Sequence, residues 1–264
     1  MVKLRLLALL SITLLLASCQ VFDGGDDESS DSSNVLWDSD PSAIIFRAEV
    51  AGGEFDDAFY RHNDVPLCTI YGDGKIVWTT ETGSGVEVLF DYLTTEHIAI
   101  FVKYMVEQRG FYTFSAGADY EMGAIPPVTE RISLNIYNDQ GVTFPHVADS
   151  FGGMDYVVFE EIVSDCQHLS STPIIFEPNA GWISAEATNY DSNAPFLVWD
   201  KGITDLAELS VTGERRWIEG RAARVLWRFI RTNSSDLQFG QDDGLFYIAL
   251  EVPSVTRFSP PPPE

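Results

Sequence analysis

Short runs in which apolar and polar residues alternate dominate the chain, and most end at a break rich in glycine, aspartate or asparagine. A period of two puts successive side chains on opposite faces of a strand. Residues 43–50 form the first such run, and Gly52-Gly53 breaks it. Residues 67–71 and 75–79 flank Gly72-Asp73-Gly74. An Asp-Gly turn between strand-like runs predicts a hairpin. Ile132, Leu134 and Ile136 alternate with Ser133 and Asn135. Asn138-Asp139-Gln140-Gly141 then turns the chain, and residues 142–144 are expected to return as the partner strand. Residues 182–188 and 196–199 read as strands, and residues 237–239 and 245–252 flank a turn at 240–244 as a third hairpin.

Three stretches switch to spacings of three and four, which predicts helices with one buried face. In the first, Thr94 or Thr95 supplies the N-cap, Ile98, Phe101, Val102 and Met105 share a face, and Gly110 is the stop. In the second, residues 155–169, the face is Phe159, Ile162, Val163 and Cys166. The third, residues 214–231, is expected to turn Ile218, Ala222, Val225, Leu226 and Phe229 inward. Together these elements predict an α+β fold, with largely antiparallel sheets built from hairpins and about three packing helices. A proline-marked break at 170–178 divides an expected α+β domain at 42–171 from a second α+β subdomain at 172–258. Residues 259–264 read as a proline-rich extended tail.

The first residues follow a different rule. Lys3 and Arg5 make a basic start, and residues 6–16 are apolar except for Ser11 and Thr13. That run has the length of a signal-peptide core and falls short of the roughly 20 residues that span a bilayer. It ends Leu16-Ala17-Ser18-Cys19, which resembles the lipobox of bacterial lipoproteins. The resemblance implies a signal peptide at 1–18 and lipidation of Cys19, palmitate or a similar acyl chain holding the exported protein to the cell membrane surface. Gln20, where Asp would signal retention at the inner membrane, points to the outer membrane if the host has one. The hairpin at residues 71–74 with the helix after it loosely resembles uncharacterised bacterial lipoproteins over residues 43–170, a likeness that implies no activity.

Charge and cysteine usage fit an exported chain. There are 16 basic against 40 acidic side chains, a formal charge of −24. So acidic a surface repels phosphate, which excludes nucleic acid as a partner. Residues 19–41 are rich in Asp, Gly and Ser and read as a disordered acidic tether after the lipid. Its Asp23, Asp26, Asp27 and Asp31 lack the spacing of a calcium loop. Beyond Cys19 the cysteines are Cys68 and Cys166. In an oxidising compartment they can form one disulfide, the other reading being two buried thiols.

Candidate chemistry is sparse. His62, His97, His146 and His168 are too far apart in sequence for a helical metal pair, and no metal or cofactor signature is present. No GxSxG elbow or phosphate-binding loop appears. The most site-like stretch is 52–64, which mixes carboxylates, aromatics, Arg61 and His62. Asp56, Asp57 and His62 are its catalytic candidates, against the plainer reading of a solvated loop pinned by Phe55 and Phe59. A second candidate is an interaction patch of Arg221, Arg224 and Arg228 with Trp217 and Trp227. Local pairing with the chain's own acids is the alternative use of those arginines. These features lead to an expected lipid-anchored, extracytoplasmic and non-enzymatic module, which binds an envelope protein or a small-molecule or glycan ligand. The alternative is an extracytoplasmic hydrolase, on glycans for example, that uses carboxylates and His62.

Overall fold

Alternation in the first half of the chain resolves into one antiparallel sheet. A computed structural model describes residues 35–56, 58–83, 85–117, 124–138, 140–258 and 260–263. Cys19, the leader, Asp57 and most of the acidic segment lie outside them. Residues Val35–Glu264 form one compact unit. Strands β1 (Ile44–Ala51), β2 (Cys68–Tyr71), β3 (Lys75–Thr82), β4 (Gly85–Tyr92), β5 (Thr129–Leu134), β6 (His146–Asp149) and β7 (Ile174–Ile175) pair in the order β6-β5-β1-β2-β3-β4-β7. The β2–β3 hairpin turns through Gly72-Asp73-Gly74, where Gly74 adopts φ +90°. A side chain there would meet the backbone oxygen of Leu93.

One face of this sheet is covered by α1 (Thr95–Lys103), a π-helical turn at Tyr104–Gln108, and α2 (Tyr156–Gln167). Thr94 caps α1 by accepting from the His97 N–H, and Asp155 caps α2 by accepting from Val158. Each cap satisfies one of the free N–H groups that every helix start leaves. Ile98, Phe101, Val102 and Met105 meet Phe159, Ile162 and Cys166 over Phe46, Ile70 and Ile132. Cys68 on β2 and Cys166 on α2 are joined by a disulfide in this core, with Cα atoms 6.4 Å apart.

The second sheet has the order β10-β8-β12-β11-β9: β10 (Arg216–Glu219), β8 (Ala180–Ala187), β12 (Gly244–Glu251), β11 (Gln238–Gln241) and β9 (Phe196–Val198). All its pairings are antiparallel except β9 with β11. Helices α3 (Leu206–Thr212) and α4 (Arg221–Thr232) pack on one face. That second core also takes in Tyr71, Val77 and Val88 from the first sheet. The described residues therefore hold two mostly antiparallel sheets and four α-helices, an α+β fold.

Three expectations need correction. After the turn at 138–141, residues 142–144 do return against 136–138, with the Asn138 N–H on the Val142 carbonyl (3.1 Å) and the Phe144 N–H on the Ile136 carbonyl (2.7 Å). This is a bridge at Tyr137 and Thr143, however, and the strand paired with β5 is β6, with Leu134 opposite His146. Residues 214–231 are not one helix. Gly220, at φ +63° and ψ −127°, separates β10 from α4, a conformation that glycine adopts most readily. The buried face of α4 is accordingly Ala223, Leu226 and Trp227, while Val225 and Phe229 face outward. Last, residues 35–37 of the expected tether are part of the body. Leu36 and Tyr137 exchange backbone hydrogen bonds of 2.9 Å, and Val35 and Trp37 pack on the first core.

Candidate functional site

The site-like stretch lies between the two sheets and acts as their polar seam. Residues Phe59–Asn63 form a single 3-10 turn alongside β12. At its end, the Asn63 side chain donates to the Ile248 carbonyl (2.8 Å) and accepts from the Leu250 N–H (2.7 Å). One carboxamide thus satisfies backbone groups of β12 as a neighbouring strand would.

His62 is placed beside a buried acid. Its Nδ1 lies 2.9 Å from Glu251 Oε1, and that side chain has no exposure to solvent. Arg215 Nε approaches the other Glu251 oxygen at 2.9 Å. The His62 ring is also held between Phe59 and Phe258, with centroids 5.5 and 4.8 Å away. A carboxylate that orients an imidazole is one part of general-base catalysis. Here the same carboxylate also balances a guanidinium.

Asp56 is bound by Arg257, whose Nη1 and Nη2 lie 2.6 and 3.2 Å from its two oxygens. Burial works against ionisation of Asp56. The hydrogen bonds from Arg257 and Gly52 and the charges of Arg257 and Arg61 outweigh it, so its pKa lies below the ordinary carboxylate value. An acid held ionised cannot donate a proton at neutral pH, which removes Asp56 from the role of general acid. Asp64 is the opposite case. Burial raises its pKa even though Arg61 pairs with it and Arg231 and Arg257 are near. Arg231 donates to the Asn63 carbonyl and stacks on Trp227, 4.5 Å from the ring centroid. Burial lowers its pKa to about 10.

Beside the Asp56–Arg257 pair is a cleft of about 490 Å³, lined by Gly52, Thr129, Arg131 and Asp149 among others. Its size falls within the range of small-ligand pockets. The Asp149 carboxylate accepts from the backbone N–H groups of Gly117, Phe151 and Gly152 at 2.8–2.9 Å. Among the described residues no group of three or more His, Cys, Asp or Glu is placed to hold a metal ion. His146 instead bonds the Phe114 carbonyl, and His168 the Ser164 carbonyl.

The expected interaction patch does not assemble. Trp227 is buried in the second core, because the break at Gly220 sets the face of α4 that turns inward. Arg228 pairs with Glu177, and Arg224 donates to Asn179. Arg221 is exposed at the start of α4. Trp217 lies on β10, where it packs against Trp182 with ring centroids 5.2 Å apart. The partners that sequence reading missed, Glu251, Arg257 and Arg215, lie some 150 to 200 residues from the 52–64 stretch. No local spacing signals such pairs. Comparisons with protein-family models, curated proteins and solved structures find no match to this chain.

Proposed function

We propose that the chain is an exported lipoprotein, held by lipid on Cys19 to the cell membrane surface, and to the outer membrane where the host has one. Its folded body is a non-enzymatic binding or envelope-assembly module. The observation that carries this reading is Leu16-Ala17-Ser18-Cys19 after a basic and then apolar leader. Two or three acyl chains, at about 0.8 kcal/mol per buried methylene, make such an anchor lasting where one chain gives only marginal binding. The body adds support, since Asp56, Asp64 and Glu251 are engaged by arginines or His62. In the native host, labelled palmitate is expected to enter the wild-type protein and not the Cys19→Ala variant. Wild-type protein that is unlabelled and fully soluble would overturn the anchor. Crosslinking on native membranes is expected to capture a reproducible envelope partner.

A second reading, an extracytoplasmic hydrolase, is favoured by the His62–Glu251 pair alone. It requires wild-type protein to turn over chromogenic glycosides or esters and His62→Gln to lose that turnover. Equal rates for the two proteins reject it.

A further inference from the structure

We propose that the Trp182–Trp217 pair is a recognition surface for proline-rich segments in the polyproline II conformation, and that the chain's own Pro260–Pro263 is its displaceable resident. The partner this surface fits is a proline-rich segment of another protein. The inference does not depend on the lipid anchor and would survive its failure.

The geometry follows from strand register. Trp182 on β8 stands directly opposite Trp217 on β10 and Glu251 on β12. Directly paired residues share a face of an antiparallel sheet. Helix α3 covers the other face, where Ile183 and Leu250 pair and Arg216 reaches Glu208. The tryptophan face is covered in part by the Phe59–Asn63 turn, through Tyr60 on Tyr247 and His62 on Glu251. The segment after β12 reaches Trp182 on the same face.

That segment has a buried root and an exposed proline run. Val255 and Thr256 are fully buried, and the Thr256 hydroxyl accepts from the Val252 N–H at 3.0 Å. Arg257 and Phe258 are tied to Asp56 and His62. Past this root the chain reaches Trp182, whose Nε1 donates a 2.7 Å hydrogen bond to the Pro261 carbonyl. Pro261, Pro262 and Pro263 are themselves exposed.

The chemistry of the contact is that of polyproline recognition. Consecutive prolines confine φ near −65° and have no N–H, so the chain is a preformed extended helix whose carbonyls are free to accept. An aromatic surface that offers an indole N–H meets both needs, with ring on ring and donor on carbonyl. The Trp217 N–H is already taken by Glu219 at 2.8 Å, which fixes that ring as a wall and leaves Trp182 as the donor. A proline-rich segment from a partner presents the same rings and carbonyls. It must outcompete a tethered rival whose effective concentration is in the millimolar range.

The test uses the full chain and an acetylated, amidated octaproline peptide, read through the indole N–H signals of Trp182 and Trp217 by NMR. In P260G/P261G/P262G/P263G the resident loses its rings and its conformation. Octaproline is expected to shift both signals saturably, with an apparent Kd about tenfold or more below that for wild type, because the surface is no longer occupied. Adding Trp182→Phe to that background keeps a ring and removes the donor. It is expected to weaken binding about tenfold, with an unchanged circular dichroism spectrum. Three results would each overturn the proposal: no saturable shift in the glycine variant, equal binding by wild type and that variant, or binding insensitive to Trp182→Phe.

Discussion

Two of the body's long-range joints are built from different materials. Helices α1 and α2 meet the first sheet through apolar side chains and one covalent bond, Cys68–Cys166. The second joint, where the β1–β2 connection at residues 52–64 meets β12 and the segment after it, is largely polar. It consists of Asn63 on the β12 backbone, His62 and Arg215 on Glu251, and Arg257 on Asp56 and Glu49. An apolar joint gains free energy in proportion to the apolar area it buries. A polar joint gains little net energy, but it penalises every misplaced partner, so it fixes how residues 52–64 seat on β12, while the second core joins the two sheets by apolar contact.

The largest effect should come from the covalent part of the first joint. The disulfide closes a separation of 98 residues. On the chain-entropy model its loss costs about 4–5 kcal/mol. Cys68→Ala with Cys166→Ala is expected to lose about that much in urea denaturation relative to the oxidised wild type. A loss below about 1 kcal/mol would show that the apolar contacts alone hold α2 in place. Next comes Asn63→Ala, which leaves the Ile248 carbonyl and the Leu250 N–H without their partner in a buried place. The expected cost is about 2–4 kcal/mol, at about 1–2 kcal/mol for each unsatisfied group, the lower part of the usual range. Amide hydrogen exchange at Leu250 should accelerate along with it.

These two joints also differ in how far the sequence announces them. The helices of the first were legible because their signals are local, while its disulfide stood only as one of two readings. Ile98, Phe101, Val102 and Met105 repeat at helical spacing, and Thr94 and Asp155 are N-cap residues. Strand β4 was not legible, since Val88, Leu89 and Phe90 run together and blur the alternation. Helix α3 was missed because seven residues are too few to establish a period. At 214–231, β10 and α4 abut through Gly220, and Ile218 happens to continue the helical spacing. The seam was seen only as a composition. Asp56, Arg61 and His62 stood out, but their roles depend on Glu251, Arg215 and Arg257, which only the folded chain brings near.

Within the seam, Glu251→Gln tests whether charge or shape matters at His62. The side chain is fully buried, while Arg215 and His62 remain 45% and 31% exposed. Breaking a fully buried pair costs about 3–5 kcal/mol. Arg215 and His62 can recover water here, so about 2 kcal/mol is expected. A cost above about 4 kcal/mol would mean that the cluster behaves as a fully buried pair, with neither Arg215 nor His62 recovering water.

The smallest effects are the most discriminating, because two acids of one seam should respond to pH with opposite signs. Arg257 and Gly52 hold the pKa of Asp56 below its ordinary 3.8. The folded state therefore gains from its ionisation above that pH and loses the gain as pH falls through the lowered value. Burial raises the pKa of Asp64 above 3.8. The folded state then binds the proton more readily than the unfolded chain does, and stability rises as pH falls through the raised value toward 3.8. Urea denaturation between pH 3 and pH 7 should show this as two slopes. The stability difference between wild type and Asp64→Asn should grow in favour of wild type on acidification. The difference between wild type and Asp56→Asn should favour wild type at pH 7 and shrink below about pH 4. Each change should stay under about 1 kcal/mol, since partly exposed pairs are screened. Slopes of the same sign would mean that pairing with Arg61 outweighs burial at Asp64, as pairing with Arg257 does at Asp56.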